Sequence, residues 1–209
     1  MNVIGLSGFA GSGKDLFCEI LCEKRPEFSR KSLGDNLKRD IRSEILKDYN
    51  IDILDCTREE KDKVRPKLID FGREMREKSN GRHWINSLTE EFTEEDTHIC
   101  VTDIRYDEYP ADEVFWLKDE LKGVLVHIER YDILNNNKKF VEAPNEDERR
   151  NDPILKAKAT YNLQWHSFEG NEESVRKQAG AYVEAFLRWF DGYNESIKGQ
   201  PASLEGEAS

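Results

Sequence analysis

The stretch Gly8-Phe9-Ala10-Gly11-Ser12-Gly13-Lys14-Asp15 decides how this chain folds. Ahead of it, Val3, Ile4, Gly5 and Leu6 read as a short apolar strand. Behind it, Leu16, Phe17, Ile20 and Leu21 recur at helical spacing. Strand, glycine-rich loop, lysine and helix, in that order, form the setting of a phosphate-binding loop. The glycines let the backbone curl so that successive N–H groups converge on one anion, and the helix adds the positive end of its dipole. Lys14 is placed to reach the terminal phosphates. The pattern G-x-x-x-x-G-K is met by Gly8, Gly13 and Lys14, but the next residue is Asp15 rather than Ser or Thr. A carboxylate thus stands where a hydroxyl on magnesium is usual.

Outward from the loop, strands alternate with helices. Further strands are expected at 28–33, 97–102, 124–128 and 160–165. Helices are expected from Asp35 as N-cap, from Thr57 with a capping box closed by Glu60, around Trp84, over 111–121 and over 172–189. Pro66 interrupts the second of these helices or starts a new one, and Gly72 marks a close approach of its backbone to something else. Alternation of this kind predicts an α/β fold with a parallel five-stranded sheet and right-handed crossovers. Ligands of such sheets sit beyond the carboxyl ends of the strands. The loop at 8–15, Asp103 with Arg105 after the third strand, and Arg130 after the fourth all fall on that edge. Residues 131–156, rich in Asn and charge, read as a polar loop able to act as a lid. Residues 199–209 read as a disordered tail.

Composition narrows the partners. With 32 basic and 43 acidic residues the net charge is -11, so stable nucleic-acid binding is disfavoured and a small anion held by a local basic cluster is not. Four cysteines without metal-ligand spacing read as reduced structural thiols in a cytoplasmic setting. No signal peptide or membrane-spanning run is read.

Phosphoryl transfer needs alignment and charge neutralisation more than covalent help, and the sequence supplies residues for both. Asp103, at the end of an apolar strand, is placed near a magnesium ion. Arg105 lies on the same rim, and its planar fork suits phosphate. Arg65 and Arg76 flank Gly72 as candidates for an acceptor phosphate. Arg149 and Arg150 could close over the transfer and exclude water.

Taken together, these segments resemble the deoxynucleoside monophosphate kinases of bacteriophages, a branch of the P-loop nucleoside monophosphate kinases. The resemblance is carried by Ser12-Gly13-Lys14-Asp15, by Leu33-Gly34-Asp35-Asn36-Leu37-Lys38, and by Arg65, Leu68, Gly72, Arg76 and Trp84. Val101-Thr102-Asp103-Ile104-Arg105-Tyr106 and His127-Ile128-Glu129-Arg130 complete it. It implies transfer of the γ-phosphate of ATP to a deoxynucleoside monophosphate, with magnesium, in the cytoplasm of the host cell, by a monomer or homodimer. It implies a core (1–34, 96–130, 157–198), an acceptor-binding insertion (35–95) and a lid (131–156). It assigns Lys14, Asp103, Arg105 and Arg150 to catalysis. Gly8, Ala10, Gly11, Ser12, Gly13, Lys14, Asp15, Arg130 and Arg149 would hold ATP. Asp35, Lys38, Arg65, Gly72, Arg76, Trp84 and Arg105 would hold the acceptor, with Asp15 and Asp103 on the metal. Arg73 departs from the family, which has a small polar residue after the glycine. Two other readings stand beside this one: a P-loop kinase of another phosphorylated metabolite, and a nucleotide-binding regulatory protein without fast turnover.

Overall fold

The computed structural model describes residues 1–198, so the tail expected to be disordered lies outside the described residues. The elements run β1 (Asn2–Ser7), α1 (Lys14–Lys24), β2 (Phe28–Lys31), α2 (Leu33–Tyr49), α3 (Arg58–Ser79), α4 (Arg82–Glu90) and β3 (His98–Val101). They continue with α5 (Glu113–Phe115), β4 (Val124–Leu134), β5 (Asn137–Phe140), α6 (Glu146–Lys158), β6 (Tyr161–His166) and α7 (Glu172–Lys198). The strands form one sheet in which β2, β3, β1, β4 and β6 lie side by side and parallel. The strand order runs in opposite directions on either side of β1, which makes its carboxyl end the crevice of the sheet. Register pairs Gly5 with both Val101 and Leu125, so β1 and β3 end at one edge of the sheet while β4 runs on past it to Leu134. Helices cover such sheets on both faces, and β1 is accordingly buried from Val3 through Ser7.

Two compact units are present, one of residues 1–167 and one beginning at Phe168. The second is built on α7, whose Ala179, Val183, Phe186, Leu187 and Phe190 recur on one helical face. Phe186 packs on Trp189 and Phe190 along that helix. Among the described residues no helix is long and apolar enough to cross a membrane.

Several local expectations are corrected. The polar stretch after Arg130 is not a loop: β4 continues to Leu134, turns through Asn135 and Asn136, and pairs antiparallel with β5 before α6 begins. Both turn residues have positive φ, 51° and 62°, a conformation Asn tolerates and two-residue hairpins demand. Helix α3 runs through Pro66 unbroken, and its capping box forms as expected: Glu60 N–H donates to Thr57 Oγ1 and Thr57 N–H to the Glu60 carboxylate. The N-cap of α2 is Ser32, not Asp35. Asp35 instead pairs with Arg30 at 2.8 Å and with Lys38 at 2.7 Å. The helix expected over 111–121 is only the short α5, continued by a π turn at Trp116–Glu120, where Leu121 N–H reaches back to the Trp116 carbonyl. Gly72 does mark a close approach, since a Cβ there would lie 2.8 Å from Leu37 Cδ1 on α2.

Candidate active site

The loop between β1 and α1 has the geometry its sequence requires. Gly8, Gly11 and Gly13 hold φ values of 126°, 83° and 97°, a region closed to most side chains. At Gly8 the constraint is doubled, because a Cβ would stand 2.2 Å from the Ile128 carbonyl oxygen. Trp165, fully buried on β6, donates from Nε1 to the Ser12 carbonyl at 2.7 Å and packs against Gly13, fixing the loop from beneath. That role was not legible in the sequence, where Trp165 reads only as the end of a strand. Helix α1 starts without a side-chain cap, so its first N–H groups are left for an anion.

Lys14 folds back over the loop, and its Nζ donates to the carbonyls of Gly8 at 2.6 Å and Phe9 at 2.9 Å. Burial, together with the nearby Arg105 charge, brings its pKa down to about 8. Arg130 lies against the loop with one terminal nitrogen 3.9 Å from the Cβ position of Gly11, and its Nε is buried without a hydrogen-bond partner. Asp15 is exposed in the first turn of α1. His127, in β4 opposite the last residue of β1, bridges to Ser7 Oγ through Nδ1 at 3.0 Å. Burial lowers its pKa to about 4, so it is a neutral structural link.

Asp103 has a more structural place than expected. One of its oxygens accepts from Leu33 N–H at 2.9 Å; the other accepts from Ser32 Oγ at 2.9 Å and Gly34 N–H at 2.8 Å. The carboxylate therefore caps α2 from the neighbouring strand end. Among the described residues no group of three acidic, His or Cys side chains is arranged to hold a metal ion. Of the two expected metal carboxylates, Asp15 alone is open. Replacing Asp103 with Asn puts a donor among three donors and removes the charge, so a loss of about 1–3 kcal/mol is expected. Chemical denaturation of D103N at neutral pH measures it, and wild-type stability would show that the cap is dispensable.

Beside Arg105 opens a cavity of about 190 Å³ between α2, α3 and α4. Leu37, Leu68 and Trp84 give it apolar walls, and Lys38, Lys61, Arg65, Arg73, Arg76 and Arg105 give it charge. The indole N–H of Trp84 is buried without a partner. Lys61, Arg65, Leu68, Gly72 and Arg76 fall three and four apart along α3 and so share one face. Lys61 was missed in the sequence, although that spacing was the signal for it. Burial lowers its pKa, and the like charges of Lys38, Arg65 and Arg105 lower it further.

Of the expected arginines, Arg65, Arg76 and Arg105 line this cavity, and Arg149 and Arg150 do not. Arg65 is half-exposed and paired with Asp62 at 2.6 Å. Arg76 is buried and tied to Asp112 at 2.8 Å and Glu113 at 3.1 Å, with its guanidinium 3.9 Å from the ring centre of Tyr106. Arg149 pairs with Glu146 on the exposed side of α6, and Arg150 pairs with Glu108. Between α6 and the loop the contact is made by Glu148 instead. Its Oε2 accepts from Ala10 N–H at 2.9 Å, and its Oε1 lies 3.6 Å from Arg105 Nη1.

No protein-family model matches this chain, and no curated protein matches it. Among solved structures it is similar to a dephospho-CoA kinase from Campylobacter jejuni, at 13% identity and a TM-score of 0.43, over 92% of this chain and 98% of that one. It is also similar to a shikimate kinase from Acinetobacter baumannii in complex with shikimate, at 17% identity and a TM-score of 0.41, over 90% of this chain and 93% of that one. Both likenesses are loose, and the site's own residues define its chemistry.

Proposed function

We propose that the chain is a P-loop kinase that moves the γ-phosphate of ATP to a deoxynucleoside monophosphate. The observation that carries this reading is the position of Arg105. It lines the cationic cavity, and it also faces the carboxylate that sits on the loop's Ala10 N–H. Arg105 thus stands between a site for one phosphorylated compound and a site for another, where a transferring phosphoryl group would spread its charge.

On the donor side, the loop N–H groups and the start of α1 would bind the ATP phosphates, Lys14 would neutralise the terminal ones, and Arg130 would flank them. On the acceptor side, Lys38, Lys61 and Arg65 would hold the monophosphate. Leu37, Leu68 and Trp84 would take the flat face of the base, and the unpartnered Trp84 N–H offers it a donor. The deoxy sugar follows from the resemblance to the phage kinases. Magnesium, brought with ATP, supplies charge neutralisation on the phosphate oxygens, and Asp15 is the side chain open to meet it. Asp103 would act through α2, whose second turn carries acceptor-side Lys38. Arg76 and Arg150 would hold the surroundings in place rather than touch the phosphates.

An ADP-release assay across deoxy- and ribonucleoside monophosphates, then other small phosphorylated metabolites, tests the proposal. Turnover with a deoxynucleoside monophosphate is expected. Turnover confined to another acceptor overturns the substrate, and tight ATP binding with no turnover on any acceptor overturns the activity.

A further inference from the structure

Glu148 occupies the position that the loop offers to an anion. A carboxylate is the protein group nearest in charge and oxygen geometry to a phosphate edge, and this one is 85% shielded, with 15% of its side chain exposed. It takes the Ala10 N–H at 2.9 Å, faces Arg105 at 3.6 Å, and contributes to the field at Lys14. These are the groups that a nucleotide's phosphate tail would engage.

Helix α6 is held so as to keep it there. Asn145 caps the helix by accepting from Glu148 N–H at 2.8 Å. Asp147, the preceding residue, pairs with Arg73 of α3 at 2.9 Å, and Arg150 pairs with Glu108. The first turn of α6 carries three successive acids, with Glu148 directed to the loop while Asp147 and Arg150 tie the helix to other elements.

We propose that Glu148 is a built-in competitor for the donor phosphate site, an intrasteric plug that must withdraw before a nucleotide can seat. The inference rests on the reading of loop 8–15 as a phosphate site. A site available in only a fraction of molecules binds its ligand more weakly by that fraction. If the plug is seated in about nine molecules in ten, apparent affinity is about tenfold below the intrinsic value. Glu148→Gln keeps size and shape but removes the charge that attracts Arg105 and Lys14. Glu148→Ala removes the plug outright. Glu146→Gln, on the exposed pair with Arg149, is the control.

Calorimetric titration of full-length protein with ATP and with inorganic tripolyphosphate reads the effect. Both Glu148 variants are expected to bind both ligands about tenfold tighter than wild type, and the Glu146 control is expected to match wild type. The Ala10 amide should also exchange with solvent faster in Glu148→Ala before any ligand is added. Unchanged or weaker affinity in both Glu148 variants, with normal binding by wild type, overturns the plug and leaves the phosphate site standing. No binding of either ligand by any of the proteins overturns the phosphate site and the plug with it.

Discussion

Lys14→Met is expected to lower phosphotransfer by about a thousandfold while leaving Tm unchanged or slightly raised. The size of the loss follows from removing one preorganised positive group from the developing phosphoryl charge, an effect of roughly a hundred- to a thousandfold. The stability expectation follows from the cost of holding the ammonium where it is. Burial lowers the Lys14 pKa from 10.5 to about 8. The unfolded chain therefore keeps its proton more tightly than the folded one across pH 8 to 10.5, and stability at this position rises with pH through that window. Below pH 8 the whole penalty is present, and Met removes it. The two hydrogen bonds lost, to the Gly8 and Phe9 carbonyls, act against this gain, but both acceptors belong to a loop that water can reach. Activity and stability should thus part company, which is the mark of a group kept for function. The same shift gives a second reading of Lys14. Phosphates beside the ammonium raise its pKa, so nucleotide binding at pH 8 should take up about half a proton. Calorimetry in buffers of different ionisation enthalpy detects that uptake in wild type and should find none in Lys14→Met. Retention of turnover within tenfold of wild type would show that this loop is not the donor site.

The contrast between Lys14 and its surroundings shows where sequence reading reaches and where it stops. The loop was legible because its signals are local: an apolar strand, glycines at the required positions and an amphipathic helix lie within one short stretch. The order of the elements was legible for the same reason, and it placed Asp103, Arg105 and Arg130 at one edge of the sheet. Partnerships between distant charges were not legible. Arg76 looks like any other arginine on α3 until Asp112 and Glu113 are found buried against it. Glu148 directly precedes two arginines that drew attention by their charge, yet it is the acid that α6 directs to the loop while Arg149 and Arg150 are largely exposed. Helix α6 itself escaped detection because it has little apolar periodicity, with Asn151 and Leu155 as its buried residues. Its N-cap and ion pairs hold it instead. The β4–β5 hairpin hid for a related reason: consecutive asparagines read as disorder by composition, but as a tight turn by backbone preference.

Arg76 carries the largest expected effect on stability. Its side chain is 6% exposed, Asp112 is fully buried, and Glu113 is 4% exposed. Removing one partner of a buried ion network leaves charge uncompensated and costs about 3–5 kcal/mol. Arg76→Met, which preserves the linear stem, is expected to lose that much in urea denaturation at neutral pH. The loss should be shared with the acids. Burial pushes the Glu113 pKa up to about 8, against the downward pull of Arg76. Its folded-state pKa exceeds its unfolded value, so its favourable contribution is complete below about pH 4.5 and fades as pH rises through 8. Glu113→Gln should therefore flatten the fall of wild-type stability between those limits. Glu113 also accepts from Arg105 N–H at 2.6 Å and Tyr106 N–H at 3.0 Å, which ties this network to the backbone that presents Arg105. Combining Arg76→Met with Glu113→Gln removes both partners of the 3.1 Å contact, and the double variant should be about 2 kcal/mol more stable than the two single losses predict together. Strict additivity would show that the two side chains are not coupled. A loss below about 1 kcal/mol in Arg76→Met, accompanied by a raised acceptor KM, would instead make Arg76 a ligand of the acceptor phosphate rather than the anchor of the segment beside it.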